Sequence, residues 1–288
     1  MSCENVIEIK GLVKRYGSKT VVNGLTMSVR EGEIFGFLGP NGAGKTTTLR
    51  VLTTLTDFSE GTVSVGGHDV AREPKEAKAI IGLIQQQISL DKDLTVRENM
   101  MQHAIMHGIP AAERRERIER LSKFIGLGEY MGSMINSLSG GWKKRVAIVC
   151  ALVHEPKILF LDEPTVGLDI QTRRLIWDLI RKLNRGGTTV FLTSHYIEEV
   201  EALCETVGII DKGNLIAFGT PRELRERVGS STVEYPGEDH KTVYRHFSSR
   251  EEANRFASET RGAAVTIRDT SLEDCFVALT GKTVEGGA

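Results

Sequence analysis

No two cysteines in this sequence are spaced as C-x-x-C. The four, Cys3, Cys150, Cys204 and Cys275, are scattered. That excludes a short-spaced zinc or redox motif and leaves reduced, packed thiols as the reading. Positive charge is not in excess either, with 37 basic against 38 acidic residues and a net charge of −1, so nucleic acid is not the expected partner. The opening Met1-Ser2-Cys3-Glu4-Asn5 lacks the basic-then-apolar order of a signal segment. The longest apolar run near the middle, residues 146–153, falls far short of the roughly 20 residues needed to cross a bilayer. If the protein works at a membrane, another chain must do the spanning. No internal repeat and no long heptad run is evident.

What is present is a chain of 288 residues with 40% apolar content, enough for one large core and a small second unit. Residues 6–9 and 24–30 alternate as strands do, and Ile34-Phe35-Gly36-Phe37-Leu38 is a continuous apolar run of the buried-strand type. A helix is expected from Gly44 through Leu52 and a strand over 80–84. From 95 to about 153 the pattern is mostly helical, including 111–125, where mixed charges mark a solvated face. Strand 157–161, helix 170–184, strand 188–193 and helix 197–204 follow, then a hairpin around Lys212-Gly213-Asn214. Strands alternating with helices predict an α/β sheet with a helical insertion. After Gly229 the texture changes, and 230–234, 241–247, 250–259 and 263–268 predict a small α+β appendage.

Gly39-Pro40-Asn41-Gly42-Ala43-Gly44-Lys45-Thr46 matches the G-x-x-x-x-G-K-[ST] phosphate loop, with Thr47 next in the expected nucleotide contact. Glycines let backbone N–H groups face anionic oxygens, and the following helix adds its positive end. Lys45 is expected to reach the β- and γ-phosphates and Thr46 to hold Mg²⁺. Asp162 closes the apolar run Ile158–Leu161 and is expected at the sheet's carboxyl edge, holding Mg²⁺ through water. Glu163 beside it suits a general base that polarises the attacking water. Ser139-Gly140-Gly141 opens a second helix and hence a second anion site.

Leu138-Ser139-Gly140-Gly141, lying between the phosphate loop and Asp162-Glu163, resembles the signature of the ATP-binding cassette (ABC) ATPases. The resemblance covers about residues 4–228. It implies a P-loop ABC core with a β-subdomain and a helical subdomain, the helical insertion at about 88–150. Residues 1–228 form the nucleotide-binding domain on this reading, and 229–288 a C-terminal α+β accessory domain. It implies ATP and Mg²⁺ as ligands, and a homodimer in which each signature closes on the partner's ATP. Tyr16 resembles the aromatic that stacks on adenine. Gln86 resembles the loop glutamine, expected to act in catalysis and at the metal, although Gln85 stands where the family usually has Pro. Asp169, in Val166-Gly167-Leu168-Asp169, resembles the loop at the dimer seam. His195 resembles the switch histidine at the γ-phosphate. Trp142 departs from the family, which usually has Gln there.

Ser271-Leu272-Glu273-Asp274-Cys275-Phe276 resembles the close of cassettes in the daunorubicin-resistance-type branch. Those are exporter ATPases that pair with a separate transmembrane permease at the cytoplasmic face of the membrane. The alternatives are an importer ATPase, or a soluble ABC ATPase acting on nucleic acid or ribosomes; a single motif set and neutral charge disfavour the soluble one. The region 88–137 is expected to carry a permease-docking groove near Gln86. His103 and His107 have i, i+4 spacing that could hold a metal, but an amphipathic helix with packing methionines is the preferred reading.

Overall fold

The computed structural model describes residues 4–87, 89–237, 242–260 and 265–280. Cys3 and Ile88 lie outside these, as do the starts of two expected strands, Lys241 and Ala263. The chain opens with a long bent hairpin, β1 (Asn5–Tyr16) and β2 (Lys19–Arg30). Strand β3 (Ile34–Leu38) enters the core and feeds α1 (Lys45–Leu52). Strands β4 (Glu60–Val65) and β5 (His68–Asp69) rejoin the hairpin in an antiparallel sheet ordered β2-β1-β4-β5. Helix α2 (Pro74–Ala79) leads into β6 (Ile81–Ile84).

The helical region comprises α3 (Val96–Met106), α4 (Ala111–Ile125) and α5 (Gly140–Leu152). A reciprocal capping box between Thr95 and Glu98 starts α3, and Gly126 stops α4 in the left-handed conformation, φ 76°. The alternation then resumes with β7 (Ile158–Asp162), α6 (Ile170–Arg185), β8 (Thr189–Ser194), α7 (Ile197–Leu203), β9 (Thr206–Asp211), β10 (Asn214–Gly219) and α8 (Pro221–Val228). Last come β11 (Ser231–Pro236), β12 (Thr242–Phe247), α9 (Arg250–Glu259), β13 (Thr266–Asp269) and α10 (Leu272–Thr280).

The central sheet runs β10-β9-β3-β8-β7-β6. All of its pairs are parallel except β10 with β9. Both faces are covered, and the strand period of two sorts the side chains. Phe35, Phe37, Phe160 and Phe191 face the antiparallel sheet and α1, with Phe191 centred 5.0–5.8 Å from the other three rings. Leu38, Leu159, Leu161, Val190 and Leu192 face the helices. Gly36 lies on this second face, where a Cβ would meet the Cys204 Sγ at 2.7 Å. The described cysteines are buried and free. Burial pushes the Cys150 thiol up to about 12 and the Cys275 thiol up to about 11, which keeps both protonated and inert.

Strands β11, β12 and β13 form a separate antiparallel sheet ordered β12-β11-β13. Helix α10 bridges this sheet and the core: Asp274 accepts from Arg268 of β13 (2.6 and 2.9 Å) and from the Thr232 hydroxyl of β11 (3.3 Å). Leu272 and Phe276 join the helix-side core, the Leu272 amide donates to Glu201 (2.9 Å), and the Cys275 thiol donates to the Leu224 carbonyl (3.3 Å). Among the described residues, no helix is long and apolar enough to cross a membrane.

The histidines of α3 meet a third from the end of α5. His107 stacks on His154 with centroids 3.7 Å apart and planes 2° from parallel. Parallel rings point their in-plane lone pairs side by side, not at one point, so the pair does not chelate. Burial, with the nearby His107, lowers His154 to about 4 from 6.5, although its Nε2 contacts the Ile81 carbonyl at 2.8 Å. The unfolded chain therefore binds a proton below pH ~6.5 that the folded chain refuses until about pH 4, and stability falls across that window as pH drops. The melting temperature is expected to fall more steeply from pH 7 to pH 5 in the native protein than in His154→Gln, measured by calorimetry. Equal slopes would contradict this assignment.

Candidate functional site

Four adjacent parallel strands end at one edge, and each hands the chain to a predicted site residue. Strand β3 runs into Gly39, β6 into Gln86, β7 ends in Asp162-Glu163, and β8 precedes His195. This is the carboxyl edge at which open α/β sheets take ligands. A cavity of about 490 Å³ lies there, lined by Asn41, Gly42, Gly44, Lys45, Thr46, Thr47, Gln86, Glu163 and His195, with Val21 and Val166 at its margin.

The phosphate loop is shaped by its glycines. Gly44 caps α1 at φ 112°, and a Cβ on Gly39 would meet the Ile210 carbonyl at 2.3 Å. Pro40 and Ala43 close the turn through Ala43 N–H donating to the Pro40 carbonyl at 3.2 Å. The first-turn amides of Lys45, Thr46 and Thr47 have no acceptor within the helix and, with the helix dipole, form an anion cradle.

Lys45 is 4% exposed. Its Nζ donates to the Gly39 carbonyl (2.7 Å) and the Pro40 carbonyl (3.1 Å) and lies 3.3 Å from Glu163 Oε1. Burial lowers its pKa, while Glu163 and Asp162 pull it back up. Glu163 is held in the left-handed backbone region, φ 47°, an uncommon conformation for a non-glycine residue and one that clusters at functional sites. Its Oε2 lies 3.3 Å from His195 Nδ1 and accepts from the Gln86 amide at 3.4 Å. His195, and after it Lys45, hold the Glu163 carboxyl below its usual range against burial, so it stays ionised at neutral pH.

Asp162 Oδ1 accepts from the Thr193 hydroxyl (2.6 Å) and the Thr46 hydroxyl (3.2 Å). These hard oxygens fit a magnesium ion, whose charge would be balanced by a carboxylate and phosphates. Gln86 is the glutamine that reaches the cavity, while the Gln85 carbonyl accepts from Lys144 Nζ at 3.3 Å.

Other predicted residues lie elsewhere. Ser139 caps α5, its hydroxyl accepting from Trp142 N–H at 3.5 Å. Gly140 and Gly141 form the first turn of α5, and a Cβ on Gly141 would meet Thr172 at 2.4 Å. Thr172 is in turn bonded to Asp169, the cap of α6 (2.6 and 2.9 Å). Ser139, Gly140, Gly141 and Asp169 thus share one surface and do not line the Lys45 cavity. Tyr16 is 47% exposed at the end of β1, with Lys14 Nζ 4.7 Å from its ring centre. Trp142 packs on Tyr130 (4.0 Å between centroids), with Arg145 4.5 Å from its ring.

The sequence reading missed Thr193 and Lys144. Thr193 is read only as strand, and its hydroxyl also receives the Glu163 amide at 3.1 Å. Lys144, in Lys143-Lys144-Arg145, has no role assigned from the sequence, yet it is 4% exposed and ties the second glycine-rich helix to the glutamine loop. The available signal was its place one turn before Ile148 on the buried stripe of α5.

A family model described as "ABC transporter" matches residues 22–166. The chain is 42% identical to the linearmycin resistance ATP-binding protein of Bacillus subtilis over 228 residues, 79% of this chain and 73% of that protein. It is 38% identical to the Nod factor export ATP-binding protein I of Ralstonia nicotianae over 302 residues, 96% of this chain and 94% of that one. This chain belongs to the ABC transporter family. Solved ABC subunits share its fold. One is cbiO1 from Clostridium perfringens, part of the cbiONQ complex, with TM-score 0.72, 28% identity, and 77% of this chain and 90% of that one covered. Another is titled an ATP-binding subunit of an ABC transporter, with TM-score 0.70, 28% identity and 77% and 92% covered. The chain is an ATPase, as its family is.

The geometry makes two expectations. Lys45→Ala removes the only lysine lining the cavity among the described residues and is expected to abolish most ATP binding, measured by fluorescent-nucleotide titration; unchanged affinity would sink the assignment of 39–46. Glu163→Gln is expected to bind ATP but hydrolyse it about a hundredfold or more slowly, the scale of a lost general base; normal turnover would remove Glu163 from that role.

Proposed function

We propose that this chain is the ATP-hydrolysing subunit of an exporter, working as a homodimer on a separate membrane permease. The reading rests first on relatives that cover nearly all of it and are named as export ATP-binding proteins. It places the protein at the cytoplasmic face of the membrane, held there by the permease.

One observation carries the dimer. The chain has two glycine-rich helix starts, at Lys45 and at Gly140, and only the first lines the Lys45 cavity. In a head-to-tail pair the second faces the partner's nucleotide, and two ATP molecules lie in the seam. Within each site the cradle and Lys45 hold the phosphates, and Tyr16 offers its exposed ring to the adenine. Glu163 accepts a proton from the attacking water, Gln86 and His195 orient water and γ-phosphate, and Asp169 stands at the seam. Thr46 and Asp162, with Gln86 nearby, hold Mg²⁺, which when bound neutralises phosphate charge.

The permease is assigned to a second cavity of about 360 Å³, lined in part by Gln85, Gln87, Leu90, His103, His107 and His154. It adjoins the glutamine loop, and Leu55, Ile105 and Met106 are exposed, at 43%, 52% and 75%. Residues 229–288 are assigned as an accessory domain whose last described helix, α10, anchors it to α7 and α8.

Mixing tests the dimer. Lys45→Ala keeps the second helix start and loses the phosphate loop; Ser139→Arg does the reverse. Neither is expected to hydrolyse ATP alone, and together they can form one intact composite site, so partial recovery of activity is expected. Full activity of Ser139→Arg alone, at any dilution, would contradict the composite site. Crosslinking from positions 89–106 to the permease tests the docking face; contact confined to residues beyond 229 would refute it.

A further inference from the structure

Glu199 is a buried carboxyl that the reaction as described does not use. It lies in the first turn of α7 and has 0% exposure. Its Oε1 accepts the Thr165 hydroxyl at 2.8 Å and the Trp177 indole N–H at 3.2 Å. Its Oε2 is buried without a hydrogen-bond partner. Burial raises its pKa, against the opposing pull of Ser194, Thr165, Trp177 and the Arg173 charge. A buried, half-satisfied carboxyl is costly to keep, which asks for a reason beyond packing.

The partners supply one. Thr165, itself 0% exposed, is two residues past Glu163 and begins the turn that reaches Asp169, with the Leu168 amide donating to its carbonyl at 3.2 Å. Ser194 directly precedes His195, and α7 starts two residues after that histidine. The Glu199–Thr165 bond therefore joins the segment carrying Glu163 and Asp169 to the segment carrying His195. Among the described residues these segments are also linked at their strand ends, by the β7–β8 pairing, by Thr193 to Asp162 and the Glu163 amide, and by the 3.3 Å approach of Glu163 to His195. Trp177 meets the same oxygen from α6, about two turns beyond the Asp169 cap of that helix, and carries neither Glu163 nor His195.

We propose that Glu199 is a positioning residue for ATP hydrolysis: through Thr165 it sets the Glu163–Asp169 loop against the His195 loop, so that carboxylate and imidazole reach the same phosphate together. This rests on the assignment of Glu163 and His195 to hydrolysis. A misplacement of the order of 1 Å is enough to cost rate without costing affinity.

The two bonds on Oε1 can be cut separately. Thr165→Val cuts the bond to the loop with little change of shape. Trp177→Phe cuts the bond to α6. Each is assayed for kcat and KM for ATP, with melting temperature as a fold control. Thr165→Val is expected to lower kcat at least tenfold with KM within twofold of native, and Trp177→Phe to keep native kcat at a lower melting temperature. Glu199→Gln, which retains an acceptor for Thr165, is expected to stay within threefold of native kcat, while Glu199→Ala loses as much as Thr165→Val. Native kcat in Thr165→Val overturns the proposal, as does an equal kcat loss in Trp177→Phe or an equal loss in Glu199→Gln and Glu199→Ala. Glu163→Gln and His195→Ala run in parallel. Native turnover in those two overturns the catalytic assignment itself; their inactivity beside an active Thr165→Val overturns the role of Glu199 alone.

Discussion

A lysine ammonium and a carboxylate face each other at 3.3 Å, both almost out of water, and the site is built around that pair. Removing two charges from solvent is expensive unless geometry and further hydrogen bonds repay it. Here two loop carbonyls accept from Lys45, while Gln86 and His195 crowd the far oxygen of Glu163. The central sheet makes this possible, since the strands bearing these groups are neighbours and all end at the same edge. In the proposed reaction an incoming phosphate competes with Glu163 for the same ammonium, so occupying the cradle frees the carboxylate to act on water.

Polar ties across sequence keep the loops in step. Thr193 holds Asp162 and the Glu163 amide, Lys144 holds the glutamine loop to α5, and Glu199 holds the loop beyond Glu163 to α7. Each is buried, and each joins two segments that carry proposed site residues. In the proposed dimer, such ties would carry a shift of the helical region to Gln86 through Lys144, and a shift at the seam to Glu163 through Thr165.

Local signals were readable and distant pairings were not. Helices 111–125 and 250–259 fall where periodicity placed them, and the phosphate loop, Asp162-Glu163 and His195 sit where strand endings placed them. Residues 60–79 went unread because β4 buries only Val63 and Val65, too few for a pattern. Helix α8 buries only Leu224, although Thr220, Pro221 and Glu223 spell a capping box that could have found it. Strands β1 and β2 are longer than their alternation suggests, because register shifts in the hairpin break the period. The pairings of Thr193, Lys144 and Glu199 were illegible, since their partners lie 31, 59 and 34 residues away.

The central claim is that the cavity around Lys45 is completed by the second glycine-rich helix of another copy. It is tested most directly by mixing two variants that each add one cysteine, Asn41→Cys and Ser139→Cys, in a chain with Cys3 replaced by Ser, under mild oxidation; the described native cysteines are buried. A disulfide-linked pair joining the two variants, forming with ATP and not without it, is the predicted result. Failure to link with ATP, at concentrations where ATP is hydrolysed by the native protein, would contradict the account.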